Sequence, residues 1–357
     1  HLSNTGRVQA TDATTIRAVS LDNNAPSAAW LLSTESGQAG SIHLSEGLNN
    51  QGALQSAGEL SVVADGAIHN SGNLSVADDA AYALTLTGNS LHNRGNIVGS
   101  GTTTLTGTAT SGAAITNSGQ IHTTGEQLSL VTGGGAIENT GSGKILADQA
   151  LTLSNAAANA ELTNAGLIQS LGAMALGHAG HTFNLHNSGA DSTVLSNSTL
   201  AISGGSITNS GTLQAKDGRT ITAASLVNNA GAALTTSTAA GADGSITLDG
   251  DFTNAGTVQS AGGLNVSAAD HTITNSGTLL SAGAADSLQL TGAQLNNSGA
   301  IKSANTATLT ATQASGNSID NSGTLYSVGA LTLNTGASLN NAASGKILSL
   351  SLIHISE

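Results

Sequence analysis

The chain of 357 residues contains no cysteine, a single proline, one Trp, two Tyr and two Phe, and only 8 Lys and Arg together. Each scarcity excludes something. Without cysteine there are no disulfides, no thiolate metal sites and no thiol chemistry. That fits an exported chain that stays unfolded in transit. With five aromatic residues, a globular core of the usual kind has little to fill it. The 21 Asp and Glu against 8 bases leave a net charge of −13. No basic cluster offsets it, so neither nucleic acid nor an anionic lipid surface is the expected main partner. No apolar run reaches the roughly 18 residues of a membrane span, so no membrane insertion is expected. The chain opens on His1 rather than Met, and it reads as a piece of something longer.

What is present is Gly (46 residues), Ser, Thr, Asn and Ala, with hydrophobic residues at 38%. Such a composition suggests low complexity, but the apolar residues recur in register. "ITNSGTL" stands at Ile207 to Leu213 and again at Ile273 to Leu279, and "IDNSGTL" at Ile319 to Leu325 differs by one residue. The underlying phrase is apolar-x-Asn-x-Gly followed by an apolar residue two further on. Its asparagine falls at Asn4, Asn50, Asn70, Asn93, Asn117, Asn139, Asn164, Asn187, Asn209, Asn228, Asn254, Asn275, Asn297, Asn321 and Asn341, and a degenerate copy supplies Asn23. Sixteen copies over these positions give a period of about 22 to 23 residues, the range of solenoid repeats.

Within one copy, "AAITNSGQIHTTGEQLSLVTGGG", Ile115 and Ile121 flank the Asn-x-Gly, and Leu128 with Leu130 form an alternating L-x-L. Period-two alternation bounded by glycine predicts short strands with one face inward. Comparable pairs are Leu84 and Leu86, Leu151 and Leu153, Leu288 and Leu290, and Leu331 and Leu333. No stretch keeps helical spacing. Strands this short are marginal alone, but a coil of 22 residues can stack on an identical coil at about 4.8 Å per turn. The expected fold is all-β: a right-handed single-stranded parallel β-helix of about sixteen rungs, continuous over residues 1–349. Fifteen steps would make a rod of about 70 Å.

Stacking also gives the asparagines a role. An amide offers donor and acceptor together, so Asn50, Asn70, Asn93, Asn117, Asn139, Asn164, Asn187, Asn209, Asn254, Asn275, Asn297 and Asn321 are expected to form a structural ladder. Glycine follows two residues later in all copies but three, at Ala25, Ala230 and Ala343. That position requires either a positive φ or the absence of a Cβ. The insertions "NTGSGKI" (Asn139 to Ile145) and "NSGADSTVL" (Asn187 to Leu195) are expected to bulge outward.

The repeat, best carried by "LHNRGNIVGS" (Leu91 to Ser100), "LTNAGLIQS" (Leu162 to Ser170) and "LNNSGAIKS" (Leu295 to Ser303), resembles the haemagglutinin repeats of filamentous haemagglutinin and of contact-dependent growth-inhibition proteins. The resemblance spans about residues 1 to 349. It implies a structural shaft segment of a secreted or surface-exposed adhesin-like filament of a Gram-negative bacterium. It also implies export by an outer-membrane two-partner secretion transporter and contact with host or bacterial cells through regions outside this segment. The closing "LSLIHISE", Leu350 to Glu357, departs from the repeat composition, resembles a translated sequencing adapter, and is left outside the array.

Two rival readings are a weak lateral glycan-binding surface and a β-helical polysaccharide-degrading enzyme. The enzyme would need carboxylates gathered beside a basic partner or metal. Asp78 with Asp79 and Asp249 with Asp251 are the candidate pairs, and neither has a Lys or Arg at an equivalent position of the next copy. They read as solvated loop acids. "GHAGHTFNLHNSG" offers His178, His181 and His186, enough nitrogen ligands for zinc by count, but no acid or Cys lies within it and strand alternation sends i and i+3 to opposite faces, so they read as loop histidines. His69 and His92 each precede a ladder asparagine in adjacent copies, and are expected to stack one strand spacing apart. No catalytic residue, metal or cofactor is expected.

Overall fold

The computed structural model describes residues 1–356. Among them are 44 strands and no helix, and the strands pair in parallel. The architecture is a β-solenoid. It divides into two compact units, His1–Phe183 and Asn184–Glu357.

In the first unit a turn is built from three short segments, as at strands Ala113–Asn117, Gln120–Thr123 and Gln127–Thr132. Alternation places Ile115, Ile121, Leu128 and Leu130 inward, all fully buried. Their intervening neighbours stay at the surface. Each segment lies on its counterpart one turn away: Ile115 on Ile137, just past a bulge that begins at Ala113, Ile137 on Leu162, Ile121 on Ile145, and Leu128 on Leu151. Like therefore sits on like, and aliphatic columns replace the missing aromatic core. Each buried Leu or Ile contributes about 1.5–3 kcal/mol relative to exposure. A one-residue slip would turn the whole column outward.

The second unit repeats the plan with one variation. The L-x-L segment and the asparagine segment fuse into single strands at Leu200–Asn209, Arg219–Asn228, Leu264–Asn275 and Leu288–Asn297. Where the first unit has a separate bend, as between Leu84–Gly88 and Leu91–Asn93, these copies run through small residues such as Gly204 and Gly292. Aliphatic columns persist, for example Leu213, Leu234, Val258, Leu279 and Ile301.

Both insertions lie outside the stacked strands. Gly141 and Ser142, and Gly189 to Asp191, are exposed in turns. Part of the tail joins the stack: Ile353–Ser356 pairs with Leu331–Asn334, setting Ile353 on Leu331 and Ile355 on Leu333. The tail reproduces the L-x-L alternation, although its Leu350, Leu352 and Ile355 remain exposed. Glu357 lies outside the described residues.

Candidate functional site

The most regular chemical feature is the corner where each asparagine turns the chain. In the first unit the side-chain amide of Asn50 donates to the side-chain oxygen of Asn70, Asn70 to Asn93, Asn93 to Asn117, Asn117 to Asn139 and Asn139 to Asn164, each at 2.8 Å. Asn4 and Asn23 extend this run at its start. In the second unit Asn187, Asn209, Asn228, Asn254, Asn275, Asn297 and Asn321 donate in the same sense, ending on Asn341. Each amide reaches further acceptors on the backbone. Asn50, for instance, also donates to the carbonyls of Gly52 and Asn73, both at 3.1 Å. The ladder asparagines are buried except Asn341. A buried amide satisfied this way pins the corner and costs little.

The glycine two residues on answers the choice left open by the sequence. At Gly72, Gly95, Gly277, Gly299 and Gly323 the φ is not positive, and a Cβ would fall on the carbonyl oxygen of the equivalent glycine one turn before. Space, not handedness, requires glycine there. Where residues are inserted the requirement moves. Gly141 is open, whereas a Cβ on Gly143 would strike the Asn117 carbonyl and the Asn139 side chain. Gly345 likewise takes the place vacated at Ala343.

Along the outer side of the first unit's corner runs a shallow groove. Its middle, about 480 Å³, is lined by Asn49, His69, Ser71, His92, Arg94 and Thr116, among others. The register of one strand pair, Ile68–Asn70 on Leu91–Asn93, puts His69 on His92, and their rings stack with centroids 4.9 Å apart and planes 12° from parallel. Ser90 Oγ lies 3.0 Å from His92 Nε2. Burial first, then the neighbouring His69 and Arg94, push the His92 imidazole below its usual range, while Glu138 pulls it partly back.

The other candidates from the sequence do not converge. Asp79 caps its own turn by accepting the Ala81 N–H at 2.9 Å, and Asp78 is exposed beside it. Asp251 accepts the Thr272 N–H at 2.9 Å and has His271 at 3.9 Å, a basic neighbour that a search for Lys and Arg passes over. His178 and His181 are not on opposite faces of a strand: a tight turn through Gly180 joins them by paired backbone bonds and brings the rings to 4.6 Å. His186 lies on the strand Phe183–Asn187. No group of three or more His, Asp or Glu able to hold a metal occurs among the described residues.

One inward residue escaped the sequence reading. Arg219 occupies the first L-x-L position, between Leu200 and Gly244, and is only 2% exposed. Its guanidinium nitrogens have no hydrogen-bond partner, and burial pushes its pKa down to about 9. The signal was available: "RTIT" puts Arg in a Leu column, and the next turn offers Gly244 above it.

A family model for the haemagglutinin repeat matches residues 2–29, 31–79, 239–314 and 284–349, together more than half of the chain. The unmatched stretch between residues 80 and 238 carries the same corner, from Asn93 to Asn228. No curated protein and no solved structure matches the chain. Repeat, register and corner chemistry agree with that match over its whole extent, and the chain belongs to the haemagglutinin-repeat family.

Proposed function

We propose that the chain is a shaft segment of a secreted, surface-exposed adhesin-like filament, whose task is to hold a distal binding or toxin-bearing region away from the cell. The observation that carries this reading is the run of parallel registers, interrupted by local bulges, and of asparagine bonds within each unit. Energy in such a stack is spread over near-equivalent turns, each resting on its neighbours. A binding protein or enzyme concentrates its chemistry at one place instead. Family membership supports export, and a two-partner secretion transporter in the outer membrane is the proposed route. The polar outer positions, such as Thr253 on Thr274, keep the stack hydrated without a strong field.

Excision of one whole turn, Ser276 to Asn297, from the parent filament tests the reading. Attachment to target cells should persist, because a shaft tolerates a change in turn number. Loss of attachment with the fold intact would mean that this turn holds a discrete site. Hydrolysis of pectic or glycosaminoglycan substrates by the isolated chain would favour the enzyme instead.

A further inference from the structure

The outer ladder on the first unit's corner strands reads Asp22, Asn49, His69, His92, Thr116, Glu138 in consecutive turns. Two imidazoles occupy its centre, and Arg94 leaves the same corner one residue after Asn93. In a chain with 8 Lys and Arg against 21 acids, three bases around one groove of about 480 Å³ are a local reversal of charge. On each side stands a neutral residue and then an acid, two turns from the nearer histidine, or about 10 Å.

We propose that this groove binds a saccharide carrying a single carboxylate on an otherwise neutral glycan, and that binding strengthens as pH falls. The groove holds about one to two sugar rings. Its amide and hydroxyl lining, Asn49, Ser71, Thr116 and Ser118, suits sugar hydroxyls. Arg94 is exposed, and its planar fork matches a carboxylate better than a point charge would. His69 and His92 add charge on protonation. Stacking on His69 opposes protonation of His92 in the free protein, and a bound carboxylate relieves that opposition. By linkage the ligand takes up protons on binding, so acid favours it. The charged groups facing the site from the packed strands are His69, His92, Asp22 and Glu138, with Arg94 from the turn. Asp22 and Glu138 set the specificity: at about a Debye length from the centre, they repel a polymer that carries acid on every unit. This proposal does not rest on the shaft reading, which would survive its failure.

The test uses the whole chain and three probes: sialyllactose with one carboxylate, trigalacturonate with three, and neutral lactose. Affinity is followed by NMR at pH 5.5 and 7.5, together with the ring resonances of His69 and His92. Sialyllactose should bind at pH 5.5 and about tenfold more weakly at pH 7.5, shift both rings and raise the apparent pKa of His92. Trigalacturonate should bind more weakly, and lactose not at all. Arg94→Gln should abolish binding, and His69→Asn, which repeats the residue already at Asn49, should remove most of the pH dependence. Both positions are exposed, and circular dichroism checks that the fold is kept. Absence of sialyllactose binding, pH-independent binding, unchanged affinity in Arg94→Gln, or tighter binding of trigalacturonate would each overturn the assignment.

Discussion

The side-chain amide of Asn275 donates to the side-chain oxygen of Asn297 at 2.8 Å, while Asn254 donates to Asn275 at the same distance. Each ladder asparagine thus satisfies one buried neighbour and is satisfied by another. Asn275→Ala removes both services, leaving the Asn254 donor and the Asn297 acceptor without this partner. A loss of about 1–3 kcal/mol is expected, measured by urea unfolding. Asn341→Ala, at an exposed corner, should cost less. Equal costs would mean that the ladder adds nothing beyond local turn preference.

Gly143 and Gly141 sit two residues apart with opposite demands. A Cβ on Gly143 strikes the Asn117 carbonyl, whereas Gly141 has its nearest neighbour, the Ala165 carbonyl, at 3.9 Å. Gly143→Ala should therefore destabilise by about 1–3 kcal/mol through overpacking, and Gly141→Ala should change stability by less than about 0.5 kcal/mol. Thermal unfolding of the two variants decides the point.

These pairs show where the sequence was readable. Period and register were legible because every turn writes the same inward residues, so Ile115, Ile137 and Leu162 could be aligned by counting. The glycine requirement was legible only as an alternative, since a missing Cβ and a positive φ leave the same letter. Insertions hid it further, because counting two residues from Asn139 lands on Gly141 while the chain closes on Gly143. The meeting of His178 with His181 was missed because a turn through Gly180, with φ at 79°, breaks the alternation that strand counting assumes. The groove needed the third dimension: Arg94 and His69 are 25 residues apart and meet only through stacking.

Arg219 stacks between Leu200 and Gly244 with no partner for its guanidinium. An unpaired buried cation costs more than the packing of its stem returns. Arg219→Met keeps a long flexible side chain and removes the charge. It should stabilise the second unit, on the order of 1–4 kcal/mol, seen as a raised urea midpoint. A destabilised variant would mean that the guanidinium is held by an unrecognised partner.

The lowered His92 pKa carries a pH dependence of stability. A base whose folded pKa lies below its ordinary value of 6.5 is protonated first in the unfolded chain. Its neutral folded form therefore costs nothing well above pH 6.5, and stability falls as pH drops through 6.5 toward the folded value. Unfolding free energies at pH 7.5 and 5.0 should differ more in the parent than in His92→Gln. The same difference in both would place the acid sensitivity elsewhere.

Excision of whole and partial turns tests whether the turns are interchangeable. Removing Ser276 to Asn297 takes out 22 residues and joins Asn275 to Ser298. Asn254 then donates to Asn275 as before, and Asn275 meets Asn321 in the place of Asn297. Thr278–Ser281 and Leu288–Asn297 leave together, so Val258 stacks on Ile301 and Leu264 on Ala307, columns that already accept such pairs. The shortened chain should unfold with nearly the parent's stability and a slightly smaller urea m-value, in proportion to the surface removed. Removing only Ser276 to Asp286 brings Leu288 next to the Asn275 corner, where the chain needs the close glycine approach of Gly277 on Gly256. Every column downstream is then out of phase with the turn before, and that variant should lose its cooperative transition. Two deletions of equal severity would mean that the second unit is not built from equivalent turns.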